Sequence, residues 1–192
     1  ETNESYAIAK IAGIKLCEAY NRQFGRNYRS IMPTNLYGPN DNYHPQNSHV
    51  IPGLIHRFHR AKEEGLANVK IWGTGKPRRD FMHADDLVSA ALMIMSISNS
   101  EYKKLILPNC SHINISSGSE HSIAETAKLI SDVVGFRGSI EFDDTKPDGT
   151  LRKKMSSAIL DRLDWRPKID LLFGLQNTYK NYVDEKLISE RN

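Results

Sequence analysis

The chain has 192 residues, of which 39% are hydrophobic and 26% are charged, and its formal net charge is +3. These values are typical of a soluble globular protein with one sizeable core, and so small a charge argues against a nucleic-acid-binding protein. No apolar run reaches the length of a membrane span, and the two cysteines, Cys17 and Cys110, indicate no disulfide framework, so we expect a reduced cytoplasmic protein.

Hydrophobic periodicity predicts helices that alternate with short strands. In chain order the predicted elements are helix 5–25, strand 28–32, helix 49–64, strand 69–72, strand 79–82, helix 87–96, strand 112–116, helix 122–134, strand 140–142, helix 157–163 and helix 171–185. This alternation favours an α/β layered fold.

Prolines and glycines separate several of these elements. Pro33 and Pro39 end the first strand, and residues 40–48 are predicted to form a long polar loop. The turn at 73–77 is predicted to join the strands on either side of it in a hairpin.

Helix ends carry their own signals. Asp85 and Asp86 are predicted to cap the helix that follows them. Ser122 and Glu125 have the spacing of a capping box, and Gly135 is predicted to close the same helix.

The sequence contains no G-x-G-x-x-G pattern, which many dinucleotide-binding sheets place between a strand and a helix. Gly73 and Gly75 imitate part of it, but they lie in the predicted hairpin. We therefore predict no pyrophosphate-binding turn in these 192 residues.

Tyr6 and Lys10 are four residues apart on the first predicted helix, so they share one face. A phenol has an ordinary pKa of about 10, and a nearby ammonium favours the phenolate. Lowering that pKa to about 7 needs roughly 4 kcal/mol, which a desolvated lysine and a cofactor cation together can supply. Without further context, an ordinary surface pair is the better interpretation.

Three ordered motifs change this interpretation. They are Ser5 to Lys10, Pro33 to Pro39, and Arg78 to Asp86. In this order they closely resemble the catalytic helix, the Asn-x-Tyr-Gly-Pro turn and the Arg-x-Phe-x-His-x-x-Asp motif of the extended short-chain dehydrogenase/reductase family. The stretches 35–42, 48–55 and 72–81 further resemble members that act on GDP-linked sugars.

The resemblance implies roles in catalysis and in binding NADP(H). Tyr6 is then the proton donor in reduction, and Lys10 binds the nicotinamide ribose and lowers the tyrosine pKa. His49 is the general acid of an epimerisation and also contacts the cofactor, although a solvated histidine at a helix start is the simpler interpretation of the residue alone. The residues implied to line the nicotinamide end are Pro33, Thr34, Asn35 and Leu36.

The resemblance also implies that Arg57, Trp72, Arg79 and Asp148 contact the GDP-sugar. The two arginines offer forked donors that suit a diphosphate. The alternative interpretation of each arginine is a solvated surface charge. For Arg57 this alternative is about as good as a contact with the diphosphate, and for Arg79 it is the weaker of the two. For Trp72, packing in the core is the stronger alternative to stacking on guanine.

No metal site is predicted. His83 has no second ligand at a useful spacing, and His56 and His59 have no third. His83 is better explained as a structural residue before a helix cap.

The resemblance implies a partial Rossmann-like parallel sheet, the C-terminal portion of an NADP-binding core, and a smaller α/β substrate-binding domain. We assign 1–40 and 81–118 to the core and 41–80 and 119–192 to the substrate-binding domain. The family's glycine-rich N-terminal half is absent from this sequence, so a fragment or excised domain is expected. The resemblance also implies a homodimer and no nucleic-acid or membrane partner.

The leading hypothesis is the C-terminal part of an NADPH-dependent enzyme that epimerises a GDP-linked 4-keto-6-deoxy sugar at two carbons and then reduces its carbonyl. A related sugar-nucleotide epimerase or dehydratase is the second hypothesis. A GDP-sugar-binding module without catalytic activity is the third. We expect the isolated chain to have little or no activity, because part of its sheet is missing.

Overall fold

A computed structural model describes residues 4–189 of the chain, with side chains as far as residue 186. The described residues form seven helices and nine short strands. In chain order they are α1 (Glu4–Phe24), β1 (Ser30–Pro33), β2 (Asn35–Tyr37), α2 (Val50–Glu63), β3 (Asn68–Trp72), β4 (Arg78–Arg79), β5 (Phe81–His83), α3 (Ala84–Ser96), α4 (Asn99–Leu105), β6 (His112–Ile115), β7 (His121–Ser122), α5 (Ile123–Val134), β8 (Ser139–Asp143), β9 (Arg152–Lys153), α6 (Ala158–Arg162) and α7 (Leu171–Ser189).

Most strand pairs are parallel. β1 pairs with β6, from Ser30 opposite His112 to Pro33 opposite Ile115. β2 pairs with β5, and β3 pairs with β8, also in parallel. β4 lies between β7, to which it is antiparallel, and β9, to which it is parallel. The α/β class with Rossmann-like parallel strands is therefore confirmed.

Two hydrophobic clusters form the interior. The first lies among α2, β3, α5 and α7, and includes Phe58, Ile71, Ile130 and Leu175. The second lies among β5, α3, α4, β6 and α6, and its members are Met82, Ala90, Ile94, Tyr102, Ile113, Ile115, Leu160 and Trp165. The assignment of 1–40 and 81–118 to one domain and 41–80 and 119–192 to another stays a prediction, and its outer ends lie outside the described residues.

The predicted hairpin between strands 69–72 and 79–82 is wrong. β3 pairs with β8, and β5 pairs with β2, each across a long stretch of chain. Gly73 and Gly75 both have positive φ, at 82° and 75°, and the Gly73 N–H donates to the Asp143 carbonyl of β8 at 2.9 Å. The turn thus leads the chain away from β3 and into a different sheet.

The capping box of Ser122 and Glu125 is confirmed, and so is Gly135, which adopts the left-handed conformation at the end of α5. The predicted cap by Asp85 and Asp86 is wrong, because His83 occupies the N-cap position of α3.

The His83 Nδ1 accepts from the Asp85 N–H at 3.2 Å, so this histidine is the structural residue predicted at that position. Asp86 is buried, and its carboxylate accepts from the N–H groups of Lys168 and Ile169, both at 3.0 Å. Four elements were not predicted: β2 within the stretch 33–39, α4 with its capping box, and the two-residue strands β7 and β9.

Helix α7 holds the loop 40–48 against the rest of the molecule. The Asn40 N–H donates to the Asn181 side-chain oxygen at 3.1 Å. The rings of Tyr43 and Tyr182 lie 4.5 Å apart between centroids. The loop is therefore anchored at two points on the same helix.

Two histidines of α2 bind tyrosines of α7. The His56 Nδ1 lies 3.0 Å from the Tyr182 hydroxyl, and the His59 Nδ1 lies 3.0 Å from the Tyr179 hydroxyl. Because each hydroxyl can donate to a neutral imidazole nitrogen, the neutral histidine suits this arrangement.

Burial lowers the pKa of both His56 and His59. The charged groups that act on them are Arg57, Arg60, Lys62, Glu63 and Lys186. The cations lower the two pKa values further, whereas Glu63 raises that of His59.

We expect the chain to lose stability as the pH falls below about 6.5, the ordinary histidine pKa. Since the folded pKa of His56 and His59 lies below the unfolded one, the unfolded chain binds more protons in this range. Urea unfolding at pH 7.5 and at pH 5.5, both chosen to bracket about 6.5, should give a lower midpoint at the acid pH. The double variant His56→Gln/His59→Gln should show a smaller difference, and equal midpoints for the unmodified chain would contradict the expectation.

Candidate functional site

A cleft of about 680 Å³ opens between the start of α2, the end of β3, β4 and the loop 147–149. His49, Arg57, Trp72, Arg79 and Asp148 all line it. The structure therefore brings together His49 and the four residues predicted to contact a GDP-sugar, although they span 100 positions in sequence.

Helix α2 sets the positions of His49 and Arg57. His49 is the N-cap residue of α2, and its side chain makes no capping hydrogen bond. Its imidazole is therefore not used by the helix and can act on a ligand. Arg57 lies two turns further along the helix, and its Nη1 donates to the Lys70 carbonyl at 3.2 Å.

Arg79 is half-buried on β4. Its Nη1 donates to the Thr150 carbonyl at 2.6 Å and to its neighbour's carbonyl, that of Arg78, at 2.8 Å. Desolvation lowers the pKa of Arg79 and also that of Arg57, which remains partly exposed at the cleft.

Within the described residues neither Arg57 nor Arg79 forms a salt bridge with a carboxylate. The hydrogen bonds that both guanidinium groups donate there go to backbone carbonyl oxygens. Two cations that are partly removed from water and lack a counter-charge are suited to bind an anion, and their forked donors match phosphate oxygens.

Trp72 is 71% exposed at the end of β3. The strand alternates, so that Val69 and Ile71 face the core while Trp72 faces outward. The alternative that Trp72 packs in the core is therefore wrong. The Lys146 Nζ lies 6.0 Å from its ring centroid, and the exposed ring can stack on an aromatic base.

The Asp148 carboxylate is held by one residue. Its Oδ1 accepts from the Thr74 N–H at 2.8 Å, and its Oδ2 accepts from the Thr74 hydroxyl at 2.7 Å. These bonds from Thr74 lower the pKa of Asp148. The carboxylate is thus anionic near neutral pH and directed toward the turn after β3, and a direct contact with a substrate stays a prediction.

Tyr6 and Lys10 lie on α1 as predicted, on the same face. The Lys10 Nζ is 5.4 Å from the centroid of the Tyr6 ring, and Tyr6 is 67% exposed. Neither residue is among those that line the cleft in the part of the chain that the structure describes. The catalytic roles predicted for Tyr6 and Lys10 therefore belong to a part of the surface outside this cleft.

The predicted nicotinamide-lining stretch begins at the carboxyl end of β1, where α/β folds bind nucleotides. The Thr34 Oγ1 and the Asn35 Nδ2 both donate to the Asp80 carbonyl, at 2.9 and 2.8 Å. Leu36 packs against the second hydrophobic cluster, whereas Pro33 is exposed. The side chains of Thr34 and Asn35 already form hydrogen bonds within the protein. This stretch is therefore best suited to contact a cofactor with its backbone groups and the Pro33 ring.

Sequence reasoning missed Asp80. It is 1% exposed, and its carboxylate accepts from the Ser116 hydroxyl at 2.6 Å and from the N–H and hydroxyl of Ser117. It therefore joins the start of β5 to the end of β6, beside Thr34 and Asn35. The sequence signal that could have identified Asp80 is its position as an acidic residue between an arginine and a phenylalanine.

Other cleft residues were also missed, and they adjoin predicted ones. Gln46 and Ser48 precede His49, while Pro147 and Gly149 flank Asp148. Their positions beside candidate ligand-binding residues could have identified them.

Over residues 4–189 no group of three or more histidine, cysteine, aspartate or glutamate side chains is arranged to hold a metal ion. None of the helices in this range is both long and apolar enough to span a bilayer.

Comparison with known proteins supports a particular family. Residues 1–107 match the model of the NAD dependent epimerase/dehydratase family. The chain is 50% identical over 185 residues to GDP-L-fucose synthase from Escherichia coli, covering 96% of this chain and 58% of that protein. It is 53% identical over 182 residues to GDP-L-fucose synthase 1 from Arabidopsis thaliana, covering 95% of this chain and 54% of that protein.

A solved structure shows the same architecture. A GDP-L-fucose synthetase from Naegleria fowleri bound to NADP superposes with a TM-score of 0.87 at 29% identity, covering 97% of this chain and 55% of that one. The chain spans slightly more than half the length of each of these three proteins.

Proposed function

Because this chain belongs to the NAD-dependent epimerase/dehydratase family, we propose that it is the C-terminal part of an NADPH-dependent enzyme that converts GDP-4-keto-6-deoxymannose to GDP-L-fucose. The observation that carries the proposal is the cleft, where Arg57 and Arg79 present guanidinium groups that have no carboxylate partner among the described residues. The names of the relatives that are about half identical support the choice of GDP-sugar.

In this proposal the cleft binds the nucleotide. The arginines donate to the diphosphate, and Trp72 stacks on guanine at the exposed end of β3. Binding energy from the nucleotide then positions the sugar for reaction, although the nucleotide itself does not react.

Proton transfer is assigned to two residues. His49, with an imidazole that makes no capping bond, protonates a sugar carbon during epimerisation next to the carbonyl. Tyr6 gives its hydroxyl proton to the carbonyl oxygen during reduction, and the Lys10 ammonium lies 5.4 Å from the centroid of its ring.

NADPH supplies the hydride when it is bound. Lys10 is assigned to its ribose, and His49 and the stretch from Pro33 to Leu36 are assigned to its nicotinamide end. The assignment fits the position of this stretch at the carboxyl end of β1 and the solved relative that binds NADP.

The full enzyme is proposed to be a cytoplasmic homodimer.

Calorimetry with GDP tests the proposal on the 192-residue chain. We expect binding without NADPH oxidation, because the sequence has no glycine-rich pyrophosphate turn. A chain that binds UDP as tightly as GDP would instead favour another sugar-nucleotide epimerase or dehydratase. No detectable heat at millimolar GDP would contradict the proposal.

Product analysis tests the reaction itself. The chain should be supplied with the cofactor-binding segment of the E. coli relative and given GDP-4-keto-6-deoxymannose. GDP-L-fucose as the product would agree with the proposal, whereas an epimerised but unreduced sugar in the presence of NADPH would contradict it.

A further inference from the structure

Asp80 is a buried residue at the junction of β4 and β5. Its carboxylate accepts from the Ser116 hydroxyl at 2.6 Å, from the Ser117 N–H at 3.2 Å and from the Ser117 hydroxyl. Both serines directly follow β6. The side chain of Asp80 is therefore fixed to the carboxyl end of that strand.

The backbone carbonyl of Asp80 faces the junction of β1 and β2. It accepts from the Thr34 Oγ1 at 2.9 Å and from the Asn35 Nδ2 at 2.8 Å. The Thr34 N–H in turn donates to the Ile115 carbonyl of β6 at 2.9 Å. The stretch assigned to the nicotinamide is thus held in two ways, by β6 directly and by β6 through Asp80.

Neutral donors hold the Asp80 carboxylate. Among the residues whose side chains the structure describes, it forms no salt bridge with a lysine, arginine or histidine. A carboxylate only accepts hydrogen bonds, and each of its partners here donates one. A substitution that keeps the shape but adds a donor should therefore loosen this attachment.

The neighbouring Arg79 is held by different contacts. Its Nη1 donates to the carbonyls of Arg78 and Thr150. A change at the Asp80 carboxylate leaves both of these acceptors in place. It should therefore act on the stretch at β1 and spare the guanidinium assigned to the diphosphate.

We propose that Asp80 is a positioning residue for the cofactor, because its anchored carbonyl orients Thr34 and Asn35 at the nicotinamide end. This inference rests on the proposed function, which assigns Pro33 to Leu36 to NADP(H). Asp80 has no contact with either ligand in this role. It fixes the backbone of the stretch, which is the part best suited to contact a cofactor.

Hydrogen exchange on the 192-residue chain tests the positioning without a cofactor. Asp80→Asn keeps the shape of the side chain, but its amide N–H groups face the Ser117 N–H, which lies 3.2 Å from both carboxylate oxygens. The Thr34 N–H should exchange about tenfold faster in this variant, equivalent to about 1.4 kcal/mol, because the stretch opens more often. Unchanged exchange of this N–H in folded Asp80→Asn would overturn the inference.

Ligand affinities test the consequence for the site. In the chain joined to the cofactor-binding segment of the E. coli relative, Asp80→Asn should weaken NADPH binding about tenfold, measured by NADPH fluorescence. GDP affinity of the same protein by calorimetry should stay unchanged, since Arg79 keeps its contacts. A general loss of structure would weaken both ligands, so equal losses would contradict a positioning role.

A double variant tests whether the carbonyl contact carries the effect. Thr34→Val removes the hydroxyl that donates to the Asp80 carbonyl. The loss of NADPH affinity in Thr34→Val/Asp80→Asn should be smaller than the sum of the two single losses. Losses that add would mean that the two residues act separately, and the inference would be wrong.

Asp86 offers a matched control. It is also buried, and its carboxylate accepts from the N–H groups of Lys168 and Ile169. Asp86→Asn should lower the midpoint of urea unfolding but leave Thr34 exchange and NADPH affinity unchanged. If Asp86→Asn reproduced both effects of Asp80→Asn, the role assigned to Asp80 would be rejected.

Two further arrangements keep the test decisive. Ser117→Ala, which removes one hydroxyl donor to the Asp80 carboxylate, replaces Asp80→Asn if that variant does not fold, and the same results are expected of it. A joined chain without substitutions that failed to bind NADPH would reject the proposed function and this inference with it. The contrary results for the variants would reject this inference alone.

Discussion

Replacing Tyr6 by phenylalanine should lower kcat for reduction of the keto sugar by about 10²–10⁴-fold, the usual contribution of a positioned acid or base. The variant loses only the hydroxyl oxygen, and the ring that lies 5.4 Å from the Lys10 ammonium remains. KM for the GDP-sugar should change little, because Tyr6 does not line the cleft among the described residues. The measurement is NADPH oxidation by this chain joined to a cofactor-binding segment.

Tyr20→Phe is the matched control. Tyr20 lies on the same helix and is partly exposed, where it contacts Phe24 and Tyr28. It should retain full activity. Reduction at the unmodified rate in Tyr6→Phe would show that the proton comes from elsewhere and would remove the main reason for the catalytic assignment of α1.

Replacing Arg79 by alanine should weaken GDP binding by about 10–100-fold, as expected for the loss of hydrogen bonds from a charged donor worth about 1.5–3 kcal/mol. The guanidinium is partly desolvated and has no carboxylate partner among the described residues, so its charge is available to the ligand. Arg79→Lys should give an intermediate affinity, because lysine keeps the charge and loses the fork. The measurement is the GDP affinity of both variants by calorimetry at two salt concentrations, which compares the loss of the charge with the loss of the forked donors.

Arg152 provides the comparison, since its guanidinium is paired with Glu120 and lies outside the lining of the cleft. Arg152→Ala should leave GDP affinity unchanged, because this guanidinium is already paired and does not line the cleft. If Arg79→Ala bound GDP as tightly as Arg152→Ala does, the diphosphate would have to lie elsewhere.

Local sequence signals predicted the elements better than their pairing. The capping box at Ser122 and the glycine at the end of α5 are encoded within a few residues, so both could be recognised directly. The partner of β3 is β8, which lies about 70 positions away, and no local pattern specifies it. The hairpin error followed from treating neighbours in sequence as neighbours in the sheet.

The cleft could be predicted only in part. The ordered motifs identified its main charged and aromatic residues, and the structure places Arg57, Trp72, Arg79 and Asp148 around one cleft. The motifs could not show which side-chain atoms already form hydrogen bonds within the protein. The side chain of Asn35 donates to the Asp80 carbonyl, and this contact depends on packing between distant strands.

Helix α7 shows a different kind of influence on the site. Among its side chains up to residue 186, which the structure describes, none lines the cleft, yet its Asn181 and Tyr182 anchor the loop that contains Gln46 and Ser48. Relatives could therefore diverge in this helix, keep every residue that touches the ligand, and still differ in how readily a sugar nucleotide enters. Alignments restricted to ligand contacts would overlook that source of selectivity.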